Sequence, residues 1–296
     1  MQATVPAKVP AILDDCEQAE AAPISLALIE TVEKLPALPS AVTGLARMLN
    51  DEDATQDQIE ALIRPNPSLT TNLLRVANSV LYRARVEIKT VRQALQRLGV
   101  RKVYDLALSA AFVRLLPRTS VTGYGIDAGM LWKHSVAVAV VAEKLAARGG
   151  AEMADLAYTA GLIHDLGEMV IGLHLMKVPA FAKHVGEGFE TLQEERSVLG
   201  LDHCKLAQLA AEKWSLPTEL ALVARYHHEP QSAPAGAARS LSWIVSVADR
   251  AALEVGYGAP LDAEHSGEGM EGQLELARKI AAEQKEAIED VCTALS

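Results

Sequence analysis

Along most of this chain apolar residues recur at spacings of three and four, the mark of helices that turn one face to a core. Leu26, Ile29 and Val32 predict a first helix from Ser25 to Lys34, stopped by Pro36. Ser40 is the expected N-cap of a helix carrying Val42, Leu45, Met48 and Leu49, and Thr55 that of one carrying Ile59, Leu62 and Ile63. After Pro65 and Pro67, Ser68 is expected to cap a helix bearing Leu69, Leu73, Leu74, Val76 and Ala77. Thr90 opens another, with Val91, Ala94, Leu95 and Leu98, ended by Gly99. Beyond a break at Pro117–Gly125, long helices are expected over 127–147, 153–170, 203–213, 217–227 and 238–254. Alternation with a period of two is nearly absent, and Arg85–Lys89 is the one short strand candidate. Pro260–Gly272 reads as an exposed loop and Gln273–Leu295 as one amphipathic helix. The expected fold is all-α. Its divisions are an arm or linker over 1–24, an N-terminal helical part over 25–118, a second helical part over 125–258, a loop over 259–272 and a C-terminal helix over 273–296.

Composition narrows the classes. The chain has 296 residues, half of them hydrophobic, and only 4% aromatic, so the core must be aliphatic. A net charge of −10 and a pI near 5.3 argue against a broad nucleic-acid footprint or an anionic membrane surface. The longest apolar runs, such as Val136–Ala142, fall far short of the ~20 residues that cross a bilayer. Cys16, Cys204 and Cys292 form no CxxC pair and no signal-like apolar segment opens the chain, which together lead to the expectation of a cytoplasmic protein.

The candidate chemistry lies in the second part. His134 stands in LWKHSVAVA, His164 and Asp165 in AGLIHDLGE, His203 in GLDHCKLA, His227 and His228 in ARYHHEP, and Asp249 in VSVADRAA. Imidazole and carboxylate are ligands for divalent transition metals, and a set spread over several helices can hold ions in a bundle core. Adjacent helical residues diverge by about 100°, so His164 and Asp165 cannot share one point on one ion. They can face a pair of ions, with Asp165 between them, and such a pair can act on a phosphate ester. A single histidine on a helix is more often a hydrogen-bonded core or surface residue, and HH at a helix end can be a polar cap. His174, His184 and His265 lack comparable context and read as surface residues.

These segments, with LPALPSAVTGLARMLND, IEALIRPNPSLTTNLLRVANSVLY and VRQALQRLGVRKVYDLAL before them, resemble the HDOD family, a bacterial signalling branch of the HD metal-dependent phosphohydrolases. The resemblance runs over about residues 28–255. It implies an N-terminal helical half packed on an HD-like bundle. It implies that His134, His164, Asp165, His203, His227, His228 and Asp249 are metal ligands, with Asp165 the candidate catalytic residue. One or two divalent ions are expected, Fe or Mn favoured over Zn or Ni. The family's usual role implies a regulatory protein with a partner in a signalling pathway, and the arm leaves room for an upstream receiver domain of a response regulator. The alternative is a phosphohydrolase or phosphodiesterase acting on a nucleotide or similar ester. Cyclic-di-GMP is not the expected substrate: Glu168 stands where cyclic-di-GMP-hydrolysing relatives carry Lys, and no GYP follows His227-His228. Met130 stands where some trinuclear relatives carry Glu, which argues against a third ion.

Two further features are weighed. Asn78-Ser79 reads first as a polar helix C-cap and turn, the favoured reading, and otherwise as a family hallmark that fixes the joint between helices. Arg75, Arg83, Arg85, Lys89, Arg92, Arg97, Arg101 and Lys102 form a basic run, usually a solvated face, otherwise a docking face for an acidic partner or a phosphate-bearing small ligand. No P-loop, GxGxxG or GxSxG motif occurs.

Overall fold

Caps, prolines and glycines set the element boundaries. The structure is a computed structural model that describes residues 15–49, 51, 53–82, 86–115, 120–121, 124, 126–178, 189, 191–258 and 271–295. The N-terminal half holds α1 (Asp15–Glu33), α2 (Ser40–Met48), α3 (Gln56–Ile63), α4 (Pro67–Ala77) and α5 (Val91–Leu115). Thr55 caps α3 as expected, in a reciprocal box: its hydroxyl accepts the Gln58 N–H, and Gln58 Oε1 accepts the Thr55 N–H at 2.8 Å. Thr90 and Gln93 repeat that arrangement at the start of α5. Gly99, at φ 80° and ψ 163°, interrupts α5 as anticipated, but helix resumes at once and continues to Leu115.

Two caps differ from expectation. The N-cap of α2 is Pro39, with Ser40 the first helical residue, and the N-cap of α4 is Asn66, whose Oδ1 accepts the Leu69 N–H at 3.0 Å. Pro67, which lacks an N–H, occupies the first helical position and so shifts the cap one residue upstream of it. Asn78 ends α4 and acts as the joint the sequence suggested: its amide donates to the Leu74 and Ile88 carbonyls and accepts the Ile88 N–H, each at 2.8 Å.

The second half begins with a two-residue antiparallel pair, β1 (Ser120–Val121) and β2 (Ile126–Asp127), where the chain was expected only to break. Val86–Lys89 carry no strand, and Arg85 lies outside the described residues. Then come α6 (Ala128–Ala146), α7 (Ala151–Ile163), α8 (Leu166–Leu175), α9 (Leu192–Leu199), α10 (His203–Lys213), α11 (Thr218–Tyr226) and α12 (Ala237–Glu254), followed by α13 (Glu271–Glu283) and α14 (Lys285–Leu295). The helix expected over 153–170 is broken at His164-Asp165, with Asp165 at φ −96° and ψ 19°. Both sides of the break are buried, so the apolar pattern runs across it without interruption. The expected single C-terminal helix is likewise two, divided at Gln284.

The centre of the molecule is α6. Every residue from Val136 to Ala142 is fully buried, the condition of a helix apolar on all sides. α7, α12, α13 and α14 pack around it. Gly161 permits the close α6–α7 contact, because a Cβ there would lie 2.8 Å from the Ala139 backbone. The two halves interleave: α1, partly inside the expected arm, packs on α8, α9 and α10, while α14 packs on α4, α5 and α6. Residues 1–14 of the arm and 259–270 of the expected loop lie outside the described residues.

Candidate metal centre

All seven residues singled out by the sequence meet at one place inside the second half, and each is at most 2% exposed. His134 comes from the middle of α6, His164 and Asp165 from the α7–α8 break, and His203 from the first residue of α10. His227 and His228 directly follow α11, and Asp249 lies in α12. The break at His164-Asp165 overcomes the divergence that a continuous helix would impose, bringing His164 Nε2 to 2.8 Å from Asp165 Oδ2.

Asp165 is the hub, and its two oxygens face different histidines. Oδ2 lies 3.2 Å from His134 Nε2 and 2.8 Å from His164 Nε2. Oδ1 lies 3.3 Å from His227 Nε2 and 3.7 Å from His203 Nε2. His134 Nε2 is also 3.2 Å from Asp249 Oδ1 and 3.2 Å from His164 Nε2. Four rings turn Nε2 inward because Nδ1 is held behind them: His164 donates to Gly161 O at 2.8 Å, His227 to Ala224 O at 3.0 Å and His134 to Tyr257 O at 3.2 Å. His203 Nδ1 lies 3.0 Å from both oxygens of Glu195. This is the outer-shell support that fixes tautomer and aim in metal sites.

The electrostatics fit a cation. Burial alone would raise the Asp165 carboxyl, but His164, His134 and His227 outweigh it and hold the group well below the usual range. Burial would lower His164, yet Asp165 and Asp249 draw it upward. The carboxylate pair thus calls for positive charge at its centre. Neither Asp165 oxygen nor His227 Nε2 makes a well-aligned hydrogen bond, despite the short separations. Buried polar atoms so placed are costly unless something coordinates them. His134, His164 and Asp165 can offer donor atoms within 4.8 Å of one another, as can His203, Cys204, His227 and His228. The centre is compatible with metal binding.

Three further groups lie nearby, of which Glu195 and Cys204 were not singled out as site residues from sequence. Glu195 is fully buried in α9; its carboxylate accepts the His203 backbone N–H at 2.6 Å, and the Tyr124 hydroxyl donates to it at 2.6 Å. Nothing in its surroundings, LQEERSVL, distinguishes it from its exposed neighbour Glu194 except its position on the helix. Cys204 Sγ lies 3.5 Å from His203 Nε2, and burial pushes the thiol up to about 11. Its place after His203 in DHCK was the available signal. Glu168 is 2% exposed and buried close enough to Tyr124 to raise its phenol further, after burial and Glu195. Met130 is 40% exposed and His174 lies at the α1 contact, near Thr31, while His184 and His265 are outside the described residues.

Among the described residues, members of the basic run are drawn into separate pairs. Arg92 pairs with Asp57 and Glu60, Arg75 donates to the Ala294 carbonyl, and Lys89 lies near Glu87. Lys102 is buried among Glu143, Asp105 and Asp155, at 2.7, 3.5 and 3.7 Å. Arg83 and Arg85 are outside the described residues. No helix among the described residues is long and apolar enough to cross a membrane.

Comparison with known proteins agrees with this architecture. A provisionally named phosphohydrolase from Shewanella amazonensis SB2B superposes with a TM-score of 0.70 at 25% identity, covering 91% of this chain and 98% of that one. An HDOD domain protein of unknown function from Geobacter sulfurreducens gives 0.69 at 25% identity, covering 94% and 98%. A provisionally named signal transduction protein from Marinobacter aquaeolei VT8 gives 0.70 at 22% identity, covering 93% and 66%, a likeness of fold. An uncharacterized protein of Treponema pallidum (strain Nichols) is 25% identical over 226 residues, 73% of this chain and 42% of that protein, so the chain spans less than half of that relative. The HDOD domain model matches residues 35–230, a span that holds every residue of the centre except Asp249, and the chain belongs to the HDOD family.

Proposed function

We propose that this chain is a bacterial HDOD signal-transduction protein that keeps an HD-type metal site for stability or sensing rather than for turnover. The observation that carries this reading is enclosure. The seven donors are at most 2% exposed, and the cavity on the apolar side of Asp165, which none of the other six donors lines, holds about 20 Å³, room for roughly one water. Pockets for organic substrates run to several hundred Å³. His134, His164, Asp165, His203, His227, His228 and Asp249 would hold one or two divalent ions. Fe or Mn is favoured by imidazole and carboxylate donors, and Cys204 beside His203 keeps Zn in contention. The N-terminal half and the surface would serve a signalling partner, with a receiver domain upstream in a longer parent chain.

The second reading is a metal-dependent phosphohydrolase, favoured by the complete donor set and by the two faces of Asp165. Bound ions would supply Lewis acidity toward a phosphate ester. Glu168, buried near the centre, would oppose a phosphate where a lysine would attract it, and cyclic-di-GMP remains disfavoured.

Elemental analysis of protein purified without chelator or metal-affinity tag, together with turnover assays on nucleotides and cyclic-di-GMP, tests both readings. Retained metal without turnover is the expected result. Multiple turnover that disappears in Asp165→Ala would replace the regulatory reading by the enzymatic one. Only trace metal, unchanged by anaerobic reconstitution, would overturn both.

A further inference from the structure

Away from the metal centre, a cavity of about 890 Å³ opens where the two halves meet. That volume is in the range of sites for small organic ligands. α2 supplies one wall and the turn after α10 another, with the segment before α2 between them. Leu38, Val42, Leu49 and Leu216 make much of the lining apolar. Arg47, Arg101 and Lys213 also line it, and among the described residues no acidic one does. In a chain of net charge −10 this local sign is the reverse of the whole.

The cations differ in how well they are satisfied. Lys213 donates to the Glu33 carbonyl and lies 3.8 Å from the Glu33 carboxylate. Arg101 Nε is 3.7 Å from Asp105 Oδ1, beyond hydrogen-bond reach, and its Nε and Nη2 are buried with no hydrogen-bond partner. Buried donors of a charged group are unfavourable without a partner, and an anionic oxygen would supply one. A bare inorganic anion would leave the apolar walls wet. A neutral hydrocarbon would leave the guanidinium as it is.

We propose that this cavity binds an amphipathic organic anion, with a phosphate or carboxylate head toward Arg47 and Arg101 and an apolar body against Leu38, Val42 and Leu49. The site is independent of the metal reading. Helix α10 runs from one site to the other: His203 begins it and Lys213 ends it, about 15 Å away at 1.5 Å per residue.

The experiment uses the whole chain and 8-anilinonaphthalene-1-sulfonate as probe, followed by fluorescence and calorimetry. One saturable site is expected, displaced by dodecanoate or by adenosine monophosphate; which of the two competes better distinguishes an acyl from a nucleotide source. Arg47→Glu should weaken the probe by about tenfold or more, since a like charge now faces the head. Ala46→Trp, which fills the cavity, should abolish binding, with circular dichroism confirming that each variant is folded. Arg47→Glu keeps the test decisive if Ala46→Trp fails to fold. The proposal is overturned if no saturable site exists, if folded Arg47→Glu binds as the wild type does, or if dodecanol or inorganic phosphate displaces the probe as well as dodecanoate and adenosine monophosphate.

Discussion

A Cβ on Gly167 would lie 1.8 Å from the carbonyl oxygen of His203. Two residues past the HD pair, the first turn of α8 is therefore pressed directly against the start of α10. That contact sets the distance between Asp165 and the His203 ring, which stand 3.7 Å apart at their nearest atoms. Gly167→Ala must push the two backbones apart. Overpacking of this kind costs about 1–3 kcal/mol, and backbone-to-backbone obstruction belongs at or above the upper end. The variant is expected to melt well below the wild type and to lose metal. Gly272→Ala, in α13 with open space around it, is the control and should be neutral or slightly stabilising.

Asp165→Asn removes the charge that both sets of histidines face, with almost no change in volume. Metal content should fall sharply, and any rise in melting temperature that metal confers on the wild type should vanish. A ligand present at a thousand times its dissociation constant stabilises by about 4 kcal/mol, so this loss is measurable. The helical fold should persist, because the core is built without the site. Unchanged metal content and melting temperature would mean that Asp165 is not a metal bridge.

Glu195→Gln leaves shape intact but replaces a carboxylate that meets both the backbone N–H and the Nδ1 of His203. The ring then loses the anion that fixes its tautomer. Outer-shell substitutions of this type lower metal affinity about 10–100-fold. Titration against a competing chelator measures this, and wild-type affinity in the variant would show that Glu195 does not position His203.

Asp105 predicts a pH dependence apart from the metal centre. Burial pushes its carboxyl up to about 7, against the pull of Lys102 and the 2.6 Å hydrogen bond from Thr159. The native state then holds a proton that the unfolded chain has released, from about pH 4 to about pH 7. Stability must fall as pH rises through that window and level off above it, by up to about 4 kcal/mol at the full shift. Lys102, raised in turn by Glu143 and Asp105 against the effect of burial, loses its contribution only in the alkaline range. Asp105→Asn should flatten the decline between pH 4 and 7, read as the difference between paired denaturant melts. Parallel curves would refute the shift.

Much of the site was legible because its chemistry rests on residue type and order. His134 and Asp249 each stand as a polar residue in an apolar helical stretch, His203 follows the capping Asp202 at a helix start, and all three are buried. Glu195 was not legible, since its role depends on which face of α9 meets α10. Nor was the convergence of His164 and Asp165, which needs a helix break that no proline or glycine marks at those two positions.

Local signals determined the helices themselves. Periodicity places the faces, Thr55 and Thr90 hydroxyls satisfy the first free N–H groups, and Gly99 adopts a φ that other residues resist. These are interactions within a few residues of chain, so the order of residues is enough to specify them. The tertiary structure decided what lies between distant segments: α1 on the second half, α14 on the first, a divided helix at the HD pair, and a basic run dispersed into separate pairs. Those outcomes follow from packing, where a carbonyl at 1.8 Å or a carboxylate eight residues away sets the position of a side chain, and residue spacing does not encode which surfaces meet.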